Sequence, residues 1–595
     1  MVIERLCKLK EAMKKAGIDY YLIPTSDDHD SEYVSEYFMV RRYFSGFTGS
    51  AGTLVVGCRE TVLFTDARYF IQAQKELEES GIRLMRQGEE GVPSILGYLQ
   101  QSIAEGQTLG FDGRLVRADQ ALDYETLVRE KGGELVWNLD LADSIWTDRP
   151  PLAHRDIFLL PERYSGESAA AKLSRVREKM EMEGAQVHII TVLDDIAWLF
   201  NIRGNDVHDC PLALSYALIT HGDAILFVEQ EAVSDQVKEY LEKSGVRLLP
   251  YEDFYRYVSG LKDKSVLLCG KRISYRLKKE LGESITVIDR PNPSALMKAI
   301  KNSTEMENLR TAHLKDGIAV TRFMYWLKKN VGKLPMTEMS AAAYLEKQRK
   351  EMEHFIEPSF DTICAYGSNG AIIHYTAREK DCASLEPQGL LVVDSGGHYL
   401  EGSTDITRTY VLGEITQEMK EHYTLVLKAM LNLRGTRFLY GYCGSNLDIR
   451  ARGVLWEYGL DYKHGTGHGV GYLMNVHEGP NSFRVSNSLN RQPDTVLQEG
   501  MVTTDEPGIY IEGSHGVRIE DELLCRKGEK NEYGQFMYFE DLTCAPIDLE
   551  GIESSMLTGW ERKQLNEYHS QVFERLSPHF KGEELNWLRE ATREI

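Results

Sequence analysis

The segment GLLVVDSGGHYLEGSTDITRTYVLG, residues 389–413, limits the possible folds more than any other stretch of this chain. An apolar run ends at Asp394, a glycine-bearing turn follows, and Asp405 opens a second strand-like run. Two strands joined in this way form a hairpin that brings both carboxylates together. Further on, YKHGTGHGVGYLMNVHEGP supplies His464, His468 and His477 in a glycine-rich context, and MVTTDEPGIYIEG offers Glu506 just after a strand. HGVRIEDELLC carries Arg518 and Glu520, whose spacing of two puts them on one face of a strand.

Singly, each of these residues has an ordinary structural reading. A strand-end Asp serves as a turn or cap residue, a His among glycines as a loop residue, and Arg518 with Glu520 as a surface ion pair. Taken in order, four carboxylates and an imidazole fit a site for two divalent cations. Four acids crowded into a low-dielectric cleft repel, and some would have to protonate. Two doubly charged cations balance four negative charges. Oxygen-rich ligation with one nitrogen suits Mn²⁺ most naturally, with Co²⁺, Zn²⁺ or Fe²⁺ as alternatives. Two such ions roughly 3.5 Å apart can hold a bridging hydroxide, an effective nucleophile at neutral pH.

The chain has 595 residues, enough for several domains. An α/β class is expected, with three parts: 1–148, 149–300 and 301–595. The first two look like a weak internal duplication. Residues 5–27 read as a helix followed by AGIDYYLIPTSD, and residues 171–194 as a helix followed by EGAQVHIITVLD. The Asp148–Pro151 segment is a linker signal. In the third part, Thr304 and Glu307 fit a capping box opening a long helix over 304–328. A second helix is expected over 337–352, with strands around 360–366, 389–394, 404–412, 501–505 and 516–525.

The net charge of −22 would repel nucleic acid, and no basic stripe offsets it. The N-terminal stretch reads as an amphipathic helix interrupted by charges, with no apolar region of a signal peptide. No apolar stretch is long enough to cross a bilayer. The expected compartment is the cytoplasm. The nine cysteines include no CxxC pair and read as reduced structural thiols.

The ordered motifs of the last part, FDTICAYGSNGAIIHY, VVDSGG, STDITRT, HGTGHGVG, NVHEGP, EPGIY and GVRIE, resemble those of the pita-bread metallopeptidases. SEYVSEYFMVRRYFSGFTGSAGT, FTDARYF, WTDRP and LDDIAWLFNIRGNDV extend the likeness to the three-domain Xaa-Pro aminopeptidases of that group, over nearly the whole chain. The resemblance implies two creatinase-like α/β domains followed by a pita-bread catalytic domain. It implies that Asp394, Asp405, His468, Glu506 and Glu520 bind two metal ions, with Asp405 and Glu520 bridging them and Glu506 also the general base. His374 and His477 would orient the substrate and stabilise the oxyanion and leaving group. His464 would lie at the proline pocket or just behind the metal ligands, and Arg518 would link to the acidic ligands. Arg41, in RRYFSGFTGS, would lie near the substrate cleft of a partner subunit in a homodimer; its alternative reading, like that of Arg42, is a surface charge.

The activity so implied is removal of the N-terminal residue from peptides with proline second, by a bridging hydroxide. A prolidase, which uses the same site on Xaa-Pro dipeptides, is the nearest alternative. Methionine aminopeptidases fit less well, because roughly 300 residues precede the catalytic part. A non-catalytic protein-binding module or a creatinase-like amidinohydrolase would not need the five ligands.

Overall fold

Runs rich in β-branched and aromatic residues supply the strands of two sheets in the first half of the chain. The structure, a computed structural model, describes residues 2–380, 382–485 and 494–595. It divides into two compact units. One holds the residues up to Glu162 together with Glu167–Ser294, and the other Arg163–Gly166 together with Ala295–Ile595.

In the first unit, strands β1 (Tyr20–Pro24), β2 (Thr53–Gly57), β3 (Thr61–Thr65), β4 (Arg83–Arg86), β5 (Leu109–Phe111) and β6 (Leu135–Val136) form a sheet of order β4-β3-β2-β1-β5-β6. Strands β7 (Val187–Ile190), β8 (Ser215–Thr220), β9 (Ala224–Val228), β10 (Val246–Leu249), β11 (Ser265–Leu268) and β12 (Thr286–Asp289) repeat that order as β10-β9-β8-β7-β11-β12. The pairing senses also repeat. The β1–β2–β3 and β7–β8–β9 pairs are antiparallel, and the outer pairs are parallel. A 14-residue helix precedes each sheet, α1 (Val2–Lys15) and α2 (Ala169–Met182). Sequential elements with the same connectivity and senses are the structural form of the duplication read in the sequence. Both faces of the first sheet are covered: Leu54, Val56 and Leu63 join one apolar cluster and Val55, Val62 and Phe64 another. Strands buried on two faces read as continuous apolar runs.

A polar cluster joins the two halves of this unit. Asp28 accepts from Tyr216 Oη at 2.7 Å and from Tyr255 Oη. His29 Nδ1 meets the carbonyl of Thr191 at 2.9 Å, so this nitrogen carries the proton and Nε2 accepts from Tyr251 Oη at 2.8 Å.

Arg41 departs from the surface-charge reading. It is only 4 % exposed, on the helix Val40–Ser45. Its guanidinium donates to Phe47 O at 2.7 Å, to Gly49 O and to Thr25 Oγ1 at 2.8 Å. Those three bonds engage all three of its nitrogens inside its own sheet's loops. It pins the FSGFTG turn and is not a surface charge.

The second unit opens with helix α3 (Pro293–Ala299), whose last residues belong to it, followed by α4 (Ser303–Asn330) and α5 (Glu338–Lys350). The capping box of α4 sits two residues earlier than expected. Asn302 Oδ1 accepts from the N–H groups of Thr304 and Glu305, and Glu305 Oε2 accepts from Asn302 N at 2.9 Å. Asn is a better cap than Thr, and the main chain of Lys301 is already held in a strand-like bond to Gly500 O at 2.9 Å. Strands β13 (Ile363–Tyr366), β14 (Leu390–Ser395) and β15 (Ile406–Val411) form an antiparallel sheet in that order.

A larger sheet contains β16 (Phe438–Leu439), β17 (Gly467–Gly469), β18 (Glu478–Phe483), β19 (Val502–Asp505), β22 (Asp521–Asn531) and β23 (Gly534–Asp541), in the order β16-β23-β22-β19-β17-β18. Between its strands lies the hairpin β20 (Gly508–Ile511) and β21 (His515–Arg518). The expected strand 516–525 is therefore two strands. Its first part pairs with β20 and its second with β19, and the chain changes partner at Ile519–Glu520. Helices α6 (Gln417–Arg434) and α7 (Gly559–Leu576) pack on this scaffold through Tyr423, Leu427, Leu565 and Val572. No helix among the described residues is long and apolar enough to cross a membrane.

Candidate metal centre and active site

Asp394 is the penultimate residue of β14, opposite Thr407 of β15, and Asp405 lies just before β15 begins. The turn between the strands holds a further short hairpin, Gly397–Tyr399 with Gly402–Ser403. Asp405 is set by its own peptide group, whose N–H donates to Glu522 Oε1 at 2.6 Å. His468 is the centre of the three-residue strand β17, and its N–H donates to Thr504 Oγ1 of β19 at 3.1 Å. His468 Nδ1 meets Gly469 O at 2.9 Å, so it carries the proton and Nε2 is left facing the acids. Nε2 lies 3.5 Å from Asp405 Oδ2 and 3.7 Å from Glu506 Oε1. Glu506 follows β19 directly, and its N–H is held by Thr466 O at 2.8 Å. Glu520 sits in the two-residue gap between β21 and β22, is 1 % exposed, and accepts from Thr407 Oγ1 at 2.7 Å.

Ligand atoms of Asp405, His468 and Glu520 all lie within 4.8 Å of one another. Asp394 Oδ1 is buried without a hydrogen-bond partner, while its Oδ2 accepts from Arg518 Nη2 at 2.6 Å. This donor set fits divalent cations. Its members are hard oxygens plus one imidazole nitrogen turned toward them, with an orphaned carboxylate oxygen whose burial costs free energy unless something positive meets it.

The electrostatics point the same way. Burial pushes the Glu520 carboxyl well above its ordinary range, and repulsion by Asp405, Asp394 and Glu506 adds to it. Burial also raises Glu506 and Asp394, against the pull of His468 and Arg518 on the first and of Arg518 on the second. For His468, burial works downward but the contact with Asp405 and the charge of Glu506 outweigh it, and the imidazole is held up to about 9. All four groups therefore bind more protons in the folded metal-free protein than in the unfolded chain, and stability falls as pH rises wherever that is so. The carboxylates start to cost stability above the ordinary carboxylate range, and the stabilising charge on His468 is lost as pH approaches about 9. Chelator-treated protein is expected to show a Tm that falls between pH of about 5 and about 9, relative to metal-loaded protein scanned in parallel. Parallel curves would show that the cluster is not a charge-strained cation site.

Arg518 ties the site together. It is 2 % exposed, and besides Asp394 it reaches Tyr510 Oη with Nη1 at 2.8 Å, Thr407 Oγ1 with Nε at 3.2 Å and Ile373 O with Nη2 at 3.5 Å. The last contact brings the turn that bears His374 against the acidic cluster. Tyr510 Oη in turn donates to His464 Nε2 at 2.9 Å, because His464 Nδ1 donates to Gly465 O at 2.7 Å. Burial lifts the Tyr510 phenol to about 12, so it remains a donor. His464 Nδ1 also lies 3.9 Å from Glu506 Oε2. The rings of His477 and His468 meet edge to face, with centroids 4.3 Å apart. Asp394, Asp405, His468, Glu506, Glu520, His464, His477 and Arg518, all expected from the amino-acid pattern and the family resemblance, thus come together here, and the backbone next to His374 touches Arg518.

Two glycines make the packing possible. A Cβ at Gly508 would meet Tyr510 Oη at 2.4 Å, and one at Gly516 would meet Gly370 O at 1.8 Å. The first leaves room for the tyrosine beside Arg518, and the second lets β21 approach the turn before His374.

Thr407, Tyr510, Glu522 and His313 were not singled out in the sequence. Thr407 and Tyr510 stand inside STDITRT and EPGIY, at spacings of two from Asp405 and Gly508, and that alternation was the available signal. Glu522 lies two residues beyond Glu520, and its partner His313 is on α4, 3.3 Å from Glu522 Oε1. Nothing local in the sequence connects His313 to the site.

A sequence profile for metallopeptidase family M24 matches residues 307–527, and one for the C-terminal region of that family matches 535–595. Creatinase/prolidase N-terminal domain profiles match 5–137 and 148–305. A Laccaria bicolor protein named probable Xaa-Pro aminopeptidase P is 37 % identical over 601 residues, covering 98 % of this chain and 92 % of that protein. The chain belongs to metallopeptidase family M24. A Paracoccidioides brasiliensis relative of the same name is 36 % identical across 100 % of this chain and 99 % of its own. The M24 fold here also superposes on an X-prolyl aminopeptidase from Caenorhabditis elegans, described as a cytosolic enzyme with a di-nuclear active site. The TM-score is 0.95 at 32 % identity, with 100 % of both chains covered.

Proposed function

We infer that this M24 protein is a dinuclear metallo-aminopeptidase that hydrolyses the bond between an N-terminal residue and a penultimate proline. The observation that carries the reading is the convergence of Asp405, His468 and Glu520, with Asp394 and Glu506 beside them, in a chain similar from end to end to Xaa-Pro aminopeptidases.

In this reading Asp394, Asp405, His468, Glu506 and Glu520 would hold two divalent cations, most naturally Mn²⁺, and Asp405 and Glu520 would serve both. When bound, the cations act as Lewis acids and make water a stronger acid. The protein's own groups do the rest. Glu506, raised by burial, takes the proton of the attacking water and delivers it to the leaving proline nitrogen. That nitrogen belongs to a tertiary amide and has no N–H, so the site recognises the ring by shape. His464, fixed in one tautomer by Tyr510 and Gly465 O, offers a wall for the ring and no donor. His374 and His477 orient the substrate and donate to the developing oxyanion and leaving group. Arg518 holds Asp394 in the ligand direction.

The same reading divides the chain into 1–148, 149–300 and 301–595 and has it work in the cytoplasm as a homodimer. Its substrates are peptides with a free N-terminus, and nucleic acid and membranes play no part. The prolidase reading separates from this one on substrate length. With Mn²⁺ loaded, Arg-Pro-Pro is expected to release arginine, detected by mass spectrometry, at a rate well above Gly-Pro. Cleavage of the dipeptide alone would replace the aminopeptidase by a dipeptidase.

A further inference from the structure

Glu478 follows His477 in the chain and lies opposite Gly469, the neighbour of His468, in the β17–β18 ladder. Its side chain is 1 % exposed and meets two ammonium groups. Lys298 Nζ donates to Oε2 at 3.1 Å, and Lys301 Nζ donates to Oε1. Those lysine side chains are themselves 6 % and 1 % exposed. Lys301 Nζ also donates to Lys298 O at 3.1 Å, which joins the two lysines into one piece. The main chain of this piece is stitched to the strand that leads to Glu506: Lys301 N donates to Gly500 O at 2.9 Å, and Ile300 bridges to Met501 just before β19.

Taking three charges out of water costs several kcal/mol per ion, and apolar residues of similar volume would hold the same space at least as stably. What the ions add is direction. Two donors on the two oxygens of one carboxylate fix its plane and, through it, the backbone at 478. That backbone carries His477, whose N–H is held at its other side by Asn475 Oδ1 at 3.1 Å. The ring of His477 stands edge to face on His468 at 4.3 Å. A slack Glu478 would loosen both.

We propose that Lys298 and Lys301 are positioning residues for the reaction, acting through Glu478 to hold His477 in its working orientation against His468. The proposal rests on the reading of His477 as a group that meets the substrate. The segment 298–301, at the C-terminal end of helix α3, thus belongs to the active-site framework.

The experiment uses Lys301→Met in the full chain, assayed on Arg-Pro-Pro after Mn²⁺ loading, with metal content measured. The expected result is a kcat lowered between about tenfold and a hundredfold, as for a misplaced catalytic group. KM should change little, because the loss falls on the transition state. In Zn²⁺-loaded protein with ¹³C-labelled histidine, the His468 and His477 ring resonances, assigned by substitution, are expected to move because their mutual ring current changes. A purely structural lysine would lower Tm and leave kcat per folded, metal-loaded enzyme, and these resonances, where they were; that result overturns the proposal. Should Lys301→Met fail to fold, Lys298→Met leaves Lys301 on Glu478 and carries the same readouts with a smaller drop. His477→Ala separates the two levels. Full kcat in that variant removes the reading and the proposal with it. The expected loss there, beside an unchanged Lys301→Met, removes the proposal alone.

Discussion

Glu506→Gln, assayed after metal loading, is expected to lose at least about a thousandfold in kcat, the upper part of the range for a positioned general base. The substitution keeps the shape of the side chain and removes its charge and its capacity to take a proton, so metal content is measured beside kcat. The backbone should stay in place, since Glu506 N is held by Thr466 O at 2.8 Å and the residue directly follows β19. A second readout separates chemistry from collapse. Asp405 and Asp394 repel the Glu506 carboxylate and help to raise it, so removing that charge should increase the Tm of the metal-free protein at neutral pH. A metal-loaded variant with near-normal kcat would end the assignment of Glu506 as base.

Asp405→Asn is expected to weaken metal binding by at least about a hundredfold, more than the loss of an outer-shell partner usually brings, and to lose activity in proportion. Asp405 sits in the triad whose ligand atoms lie within 4.8 Å of one another, with Oδ2 at 3.5 Å from His468 Nε2. An amide there keeps one weak oxygen donor and loses the charge. The hydrogen bond to Glu522 should survive, since it is made by the backbone N–H of residue 405. Elemental analysis of the purified variant, read beside kcat, checks both parts. Full occupancy would contradict the shared-ligand role.

The acids and histidines of the site were readable because each stands at a strand end or in a glycine-rich run, where few residue types are expected and the chemistry of the exceptions is conspicuous. The hairpin through Asp394 and Asp405 was readable for the same reason, although the shorter hairpin within its turn was not. Errors arose where local pattern and tertiary pairing compete. The run 516–525 looks like one strand, yet it switches partners at Ile519–Glu520 because β20 claims its first half and β19 its second. Arg518 and Glu520 nevertheless meet, through Thr407 rather than through a shared strand face. The capping box moved from Thr304 to Asn302 because a bond from Lys301 to Gly500, far along the chain, decides where the helix can begin. Arg41 looks like surface charge from its RRY context, but three acceptors in loops of its own sheet enclose it.

The amino-acid pattern alone was enough for the kind of chemistry: four carboxylates and an imidazole in this order need cations, whatever their final spacing, because charge balance does not depend on the exact fold. It was enough, too, for the α/β repeat, since strand and helix periodicities are local. The support for those ligands came only with tertiary structure. His313 from α4, Lys298 and Lys301 from the start of the second unit, and Tyr510 from the hairpin reach the site or its strands across long stretches of chain. Such contacts leave no periodic trace in sequence, because they are set by which strands pair and in what register, a choice made by the whole core at once.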